Sequence, residues 1–230
     1  MNKKSITVLA VVLVALVVGF FYLQPEGDKA VIEQEYVEFP VEIKTSADKN
    51  LDAETEEFLR ERIAENKEFL SDEEITTPDR IARLVAIFSD YASLGDYDDA
   101  LATIEGAVLI ADDSQAVQKT YSEFLYEIGN YEKSILVADK AVQLDPWKHL
   151  PWLWRAELEE KLLVDPRGAD IIYEQALVET ERNEDIMIAR AEFLERVGDN
   201  EAAIDAWREF QVTYPERGEV AQNRIDLITK

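Results

Sequence analysis

The sequence predicts an all-α protein: a helix-turn-helix repeat solenoid of about four units with a capping helix, after one N-terminal transmembrane helix. Three observations predict it. A polar turn returns at a fixed interval, GDYDDA at 95–100 and GNYEKS at 129–134, 34 residues apart. Gly and Pro number only 8 and 7 among 230 residues, too few for many short strands joined by tight turns. Residues 5–24, SITVLAVVLVALVVGFFYLQ, carry no charge at all.

The uncharged run comes first. Its apolar part, 6–23, is 18 residues, which at roughly 1.5 Å per residue reaches about 27 Å, close to a bilayer core of roughly 30 Å. Lys3 and Lys4 precede it and Glu26 and Asp28 follow it. Basic residues stay on the cytoplasmic side, so residues 1–5 are expected inside and everything beyond Leu23 outside, periplasmic or extracellular. A cleaved signal peptide has an apolar region of about 7–15 residues and a small-x-small site. This run is longer and contains no Ala-x-Ala, which favours an uncleaved anchor.

Residues 24–51 read as a tether. Within it VEFPVEIK, 37–44, alternates apolar and polar residues, the period of a strand or extended arm, and Pro40 confines it to an edge or an unpaired stretch. Such an arm either adds to a partner's sheet or lies along its own domain, and the second reading is preferred. Residues 52–79 hold a helix at 52–71, with Leu59 and Ile63 among its apolar positions, then a break. Thr77 then offers an N-cap, with Pro78 in the first turn of the next helix.

Residues 80–217 carry the repeat. Gly95 and Gly129, Tyr97 and Tyr131, and Ala107 and Ala141 are each 34 apart, while Ala141 to Ala176 is 35 and Ala176 to Phe210 is 34. Units of 81–114, 115–148, 149–183 and 184–217 follow, each an antiparallel helix pair. Gly95, Gly129 and Gly198 suit a left-handed residue ending a first helix. Ala100, Ala203, Ala107, Ala141 and Ala176 are small where helices approach closely. Pro146 and Pro215 stop second helices. One pair cannot bury both its apolar faces, so units stack. This pattern resembles a tetratricopeptide repeat (TPR) array over about 80–217, with Trp152 where that family favours an aromatic. Ser134 and Phe210 stand where the family has Ala, Asp112 where it has Pro, and the third unit reads LLVDPRGAD without the glycine turn. Residues 218–230 are expected to form a capping helix, with Val220, Ile225 and Ile228 covering the last open face.

No catalytic, cofactor or metal site is legible. His149 is the sole histidine and there is no cysteine, which removes zinc and thiolate sites and most triads. A formal net charge of −25 argues against nucleic acid. The resemblance implies a groove lined by first helices. In that register it comprises Val85 and Ser89, then Lys119, Glu123, Tyr126 and Glu127, then Leu153, Glu157, Glu160 and Lys161, then Ile188, Glu192, Glu195 and Arg196. That surface is acidic with apolar islands, and the expected partner is a cationic or amphipathic protein or peptide. Trp147 sits between units, either exposed as an anchor for a partner or, with Trp154, filling the joint. The role implied is a non-enzymatic adaptor or scaffold on the outer side of a prokaryotic cytoplasmic membrane; the alternative is a chaperone-like helper of exported chains beside the secretion machinery.

Overall fold

A computed structural model describes residues 43–162 and 167–230. The expected cytoplasmic end, anchor and most of the tether lie outside these residues, as does the glycine-less turn of the third unit. No helix among the described residues is long and apolar enough to cross a membrane.

The described residues form ten α-helices and no strand. A leading helix, α1 (Ala53–Leu70), precedes four pairs: α2 (Thr77–Leu94) with α3 (Tyr97–Ile110), α4 (Gln115–Glu127) with α5 (Tyr131–Leu144), α6 (His149–Leu162) with α7 (Arg167–Glu179), and α8 (Glu184–Val197) with α9 (Asn200–Thr213). A single 3-10 turn, Pro215–Arg217, leads into α10 (Gly218–Ile228). The pairs are the four units read from the sequence.

Local chemistry explains the boundaries. The α2 cap is Thr76 rather than Thr77: its side chain accepts from the Asp79 amide, which places Thr77 and Pro78 inside the first turn. Asp52, Ser114 and Asp199 cap α1, α4 and α9 in the same way. Gly95, Gly129 and Gly198 have φ of 81°, 86° and 81°, the left-handed geometry that closes a first helix.

Packing explains the departures from the repeat. Ala107 and Ala176 are wholly buried, as are Ala100 and Ala203, whose counterpart after the third turn is Ala169. Ser134 replaces alanine at that place, and its hydroxyl is not orphaned: it donates to the Ser122 carbonyl at 2.7 Å while Ser122 Oγ donates to the Ser134 carbonyl. Phe210 is fully buried in one cluster with Trp207, Tyr214, Ala221 and Ile225. The last unit therefore takes a large ring where α10 brings a small Ala221. Ala221 and Ile225 cover the end of the array and Val220 is left exposed, correcting the expectation for that helix.

Polar clasps join the units at a repeating place. Tyr121 donates to Glu105 at 2.7 Å, Arg155 to Asp139 at 2.7 Å, and Arg190 to Glu174 at 2.7 Å and Asp170 at 2.6 Å. Each pairs a first helix with the preceding second helix. Burial opposes the Arg155 charge, but Asp139 and Glu159 overcome it and hold the guanidinium above its ordinary value. First helices also meet across units, α4 with α6 and α6 with α8, whereas successive second helices make no comparable contact. The first helices therefore form the inner layer.

Candidate protein-binding face

The centre of the inner face is aromatic. Tyr126 near the end of α4 packs edge-on to Trp154 of α6, ring centroids 6.0 Å apart, and meets Tyr131 at 5.3 Å. Trp154 is fixed from behind, its Nε1 donating to Ser122 Oγ at 2.8 Å. Two lysines lie over these rings. Lys119 Nζ is 6.0 Å from the Trp154 ring, and Lys161 Nζ is 5.1 Å from Tyr126 and 5.3 Å from Trp154. Lys119 pairs with Glu123 and Lys161 with Glu157, each one helical turn away.

The carboxylates predicted to await a cation already have partners in the fold. Glu160 accepts from Tyr173 at 2.7 Å and pairs with Arg196 at 2.6 Å. Burial and the Glu160 carboxylate push the Tyr173 phenol far above its ordinary value. Glu195 accepts from Trp207 at 2.6 Å and from both Nε and Nη2 of Arg224 in α10. Glu192 acts on Arg196 through its charge. Glu160 and Glu195 are thus neutralised from the next helices along the array, a relation that helical spacing does not reveal. The apolar islands are only partly open: Val85, Leu153 and Ile188 pack against the core clusters, while Ser89 is exposed.

Glu127 is engaged from much further away. Its carboxylate accepts from Tyr97 at 2.7 Å and pairs with Lys49 at 3.1 Å, and its carbonyl accepts from Lys44 Nζ at 3.3 Å. Residues 43–50 lie across the turns. The Ala47 amide donates to the Gly95 carbonyl at 3.0 Å, the Asp98 amide to the Thr45 carbonyl at 3.2 Å, and the Lys44 amide to the Ile128 carbonyl at 2.8 Å. A Cβ on Gly95 would stand 2.0 Å from the Ala47 carbonyl oxygen, so only glycine admits the arm. This end of the tether lies along its own domain. Residues 37–42 of the expected arm fall outside the described residues.

Trp147 is 73% exposed and Trp154 is buried, so filling the joint is the role of Trp154 alone. The Trp152 indole donates to the Pro146 carbonyl at 2.8 Å. His149 reaches Asp185 at 3.2 Å and belongs to no cluster of metal-ligating groups among the described residues. Sequence reasoning missed the parts that Trp154, Tyr97 and Lys49 play here. For Trp154 a signal existed, its place two residues after the repeat aromatic; for Lys49, in a polar stretch, there was none.

Helix pairs recurring every 34 or 35 residues, small residues at their crossings and first helices lining the inner face define a TPR-like helical repeat domain. No protein-family model matches the chain and no curated protein matches it. Among solved structures the chain is similar to MamA, with a TM-score of 0.53 at 13% identity, covering 74% of this chain and 98% of that one. It is similar also to MamA residues 41-end from Desulfovibrio magneticus RS-1, with a TM-score of 0.50 at 14% identity, covering 72% and 88%. A thermophilic TPR protein from Thermus thermophilus is a looser likeness, with a TM-score of 0.48 at 19% identity, covering 73% and 88%.

Proposed function

We propose that this protein is a non-enzymatic scaffold that binds an amphipathic segment of a partner protein on its inner helical face, held at the outer side of a prokaryotic cytoplasmic membrane by residues 6–23. The observation that carries the binding role is the Tyr126–Trp154 pair with Lys119 and Lys161 over its rings. The half-buried Tyr126 ring, backed by the buried Trp154 and flanked by two long cationic side chains, suits a segment offering apolar contact and polar groups together. The internal pairing of Glu160 and Glu195 shifts the expected partner from purely cationic towards amphipathic. Membrane attachment is supported by the charge-free run and the lysines before it. An anchored scaffold meets membrane partners at raised effective concentration.

The test is crosslinking in the native host, then capture of the full-length protein and identification of what accompanies it. Lys119→Glu with Tyr126→Ala abolishes partner capture and leaves the helical melting transition nearly unchanged. Undiminished capture by that variant overturns the assignment of the face. A diffuse set of exported chains, captured equally by both proteins, points to the chaperone-like helper instead.

A further inference from the structure

We propose that the ledge formed by the α2–α3 and α4–α5 turns is a binding site for an extended, lysine-bearing segment of a partner, which residues 43–50 occupy in cis until it displaces them. The proposal rests on the scaffold reading and names the chemistry of one partner segment. Its ground is the way the arm is held. Three main-chain hydrogen bonds fasten it, two of them to the turn carbonyls of Gly95 and Ile128. Successive turns are engaged by residues three apart, Ala47 and Lys44. Three extended residues span about 10 Å, close to the separation of packed helices, so a strand runs in step with the array. Main-chain bonds accept any sequence, and side chains supply the selection. The bare Gly95 admits only a close approach of the strand backbone. The Glu127 carboxylate, with the Tyr97 ring 5.3 Å from Lys49 Nζ, selects an ammonium.

The arm is weakly held. Of residues 43–50 only Ala47 and Lys49 are even partly buried, and the Lys49 and Glu127 side chains remain 33% and 46% exposed. Exposed ion pairs contribute little, and segments with few buried apolar contacts open easily. A partner segment bearing lysine therefore competes on equal chemistry, and the acidic domain attracts it.

The experiment uses the full-length protein in detergent micelles and a fluorescein-labelled peptide of residues 43–50, IKTSADKN, followed by anisotropy. Lys44→Glu with Lys49→Glu frees the ledge, and this variant binds the peptide at least tenfold more tightly than the unaltered protein, with an unchanged melting curve. Glu127→Lys alone, which repels the arm's own lysines and so also frees the ledge, does not bind this peptide, whereas a peptide with both lysines changed to glutamate binds it. Equal affinity for freed and unaltered protein, or binding indifferent to Glu127→Lys, overturns the proposal. A dimer of the unaltered protein that dissociates on Glu127→Lys assigns the ledge to the arm of a second copy and likewise overturns it. If the peptide binds as expected while the host yields no captured partner, the scaffold reading fails and the strand-binding ledge stands.

Discussion

Arg62 of α1 grips Asp90 of α2 through the Nε and Nη2 edge of its guanidinium, Nε lying 2.9 Å from Oδ2, although Asp90 has no solvent exposure at all. The corresponding places in the later units hold Phe124, Leu158 and Phe193, all buried. Where a further unit would press an apolar surface on the array, α1 offers an arginine, and the first unit answers with an acid. Arg83 donates to Asn66 at 2.9 Å and extends the same polar joint.

Breaking that joint on one side is expected to do more harm than replacing it. Arg62→Met strands a buried carboxylate and lowers stability by about 2–3 kcal/mol, the usual loss for a broken buried pair discounted for the exposure of Arg62. Arg62→Met with Asp90→Leu recovers most of the loss. Urea melts of the three proteins check both, and a double variant no better than the single one shows that the pair is not the attachment of α1.

Overfilling a close crossing tests the repeat register. Ala141 is 1% exposed at the α5 place that alternates with Ala107, Ala176 and Phe210. Ala141→Trp is expected to lower stability by roughly 1–3 kcal/mol or more and to melt neighbouring units together. An unaltered thermal melt places that crossing elsewhere.

Gly95 and Gly198 share φ of 81°, so alanine at either place strains the backbone by about 1–2 kcal/mol. They differ in surroundings. A Cβ at Gly198 meets nothing within 4 Å, whereas at Gly95 it collides with the Ala47 carbonyl. Gly95→Ala is therefore expected to release the arm as well, seen as lost hydrogen-exchange protection of the Ala47 amide, which Gly198→Ala preserves.

The hold on the arm depends on pH at both ends. Burial raises the Glu127 carboxyl, but the bonds from Tyr97 and Lys49 outweigh it and set the group below its ordinary 4.5. The nearby Tyr97 first, then Glu127, lifts Lys49 above its ordinary 10.5. The carboxylate's contribution is present above pH 4.5 and fades as pH falls through the depressed value. The ammonium's contribution is present below 10.5 and fades as pH rises through the elevated one. The arm is thus held across neutral pH and loosens at either extreme. Amide shifts of Ala47 followed by NMR check this, and Glu127→Gln is expected to erase the acid limb and to shrink the alkaline one, which Glu127 helps to set.

The helices were legible because their causes are local. Thr76, Ser114 and Asp199 reach amides three residues on, and glycines end helices by their own φ. A repeat of 34 then implied stacking, since no pair buries its own apolar faces. Small errors, Thr77 for Thr76 and Val220 for Ala221, came from one-residue ambiguities in which side chain reaches a backbone or a crossing. Charge partners were another matter. Glu195 is satisfied by Arg224, 29 residues on, and Glu127 by Lys49, 78 residues back. Sequence by itself determined the helix pairs, their register and their stacked order, because turns, caps and periodicity act within a few residues. Only the tertiary structure decided which charges are neutralised, that Asp90 is buried, and that the arm rests on the turns, because these depend on where distant segments meet in space.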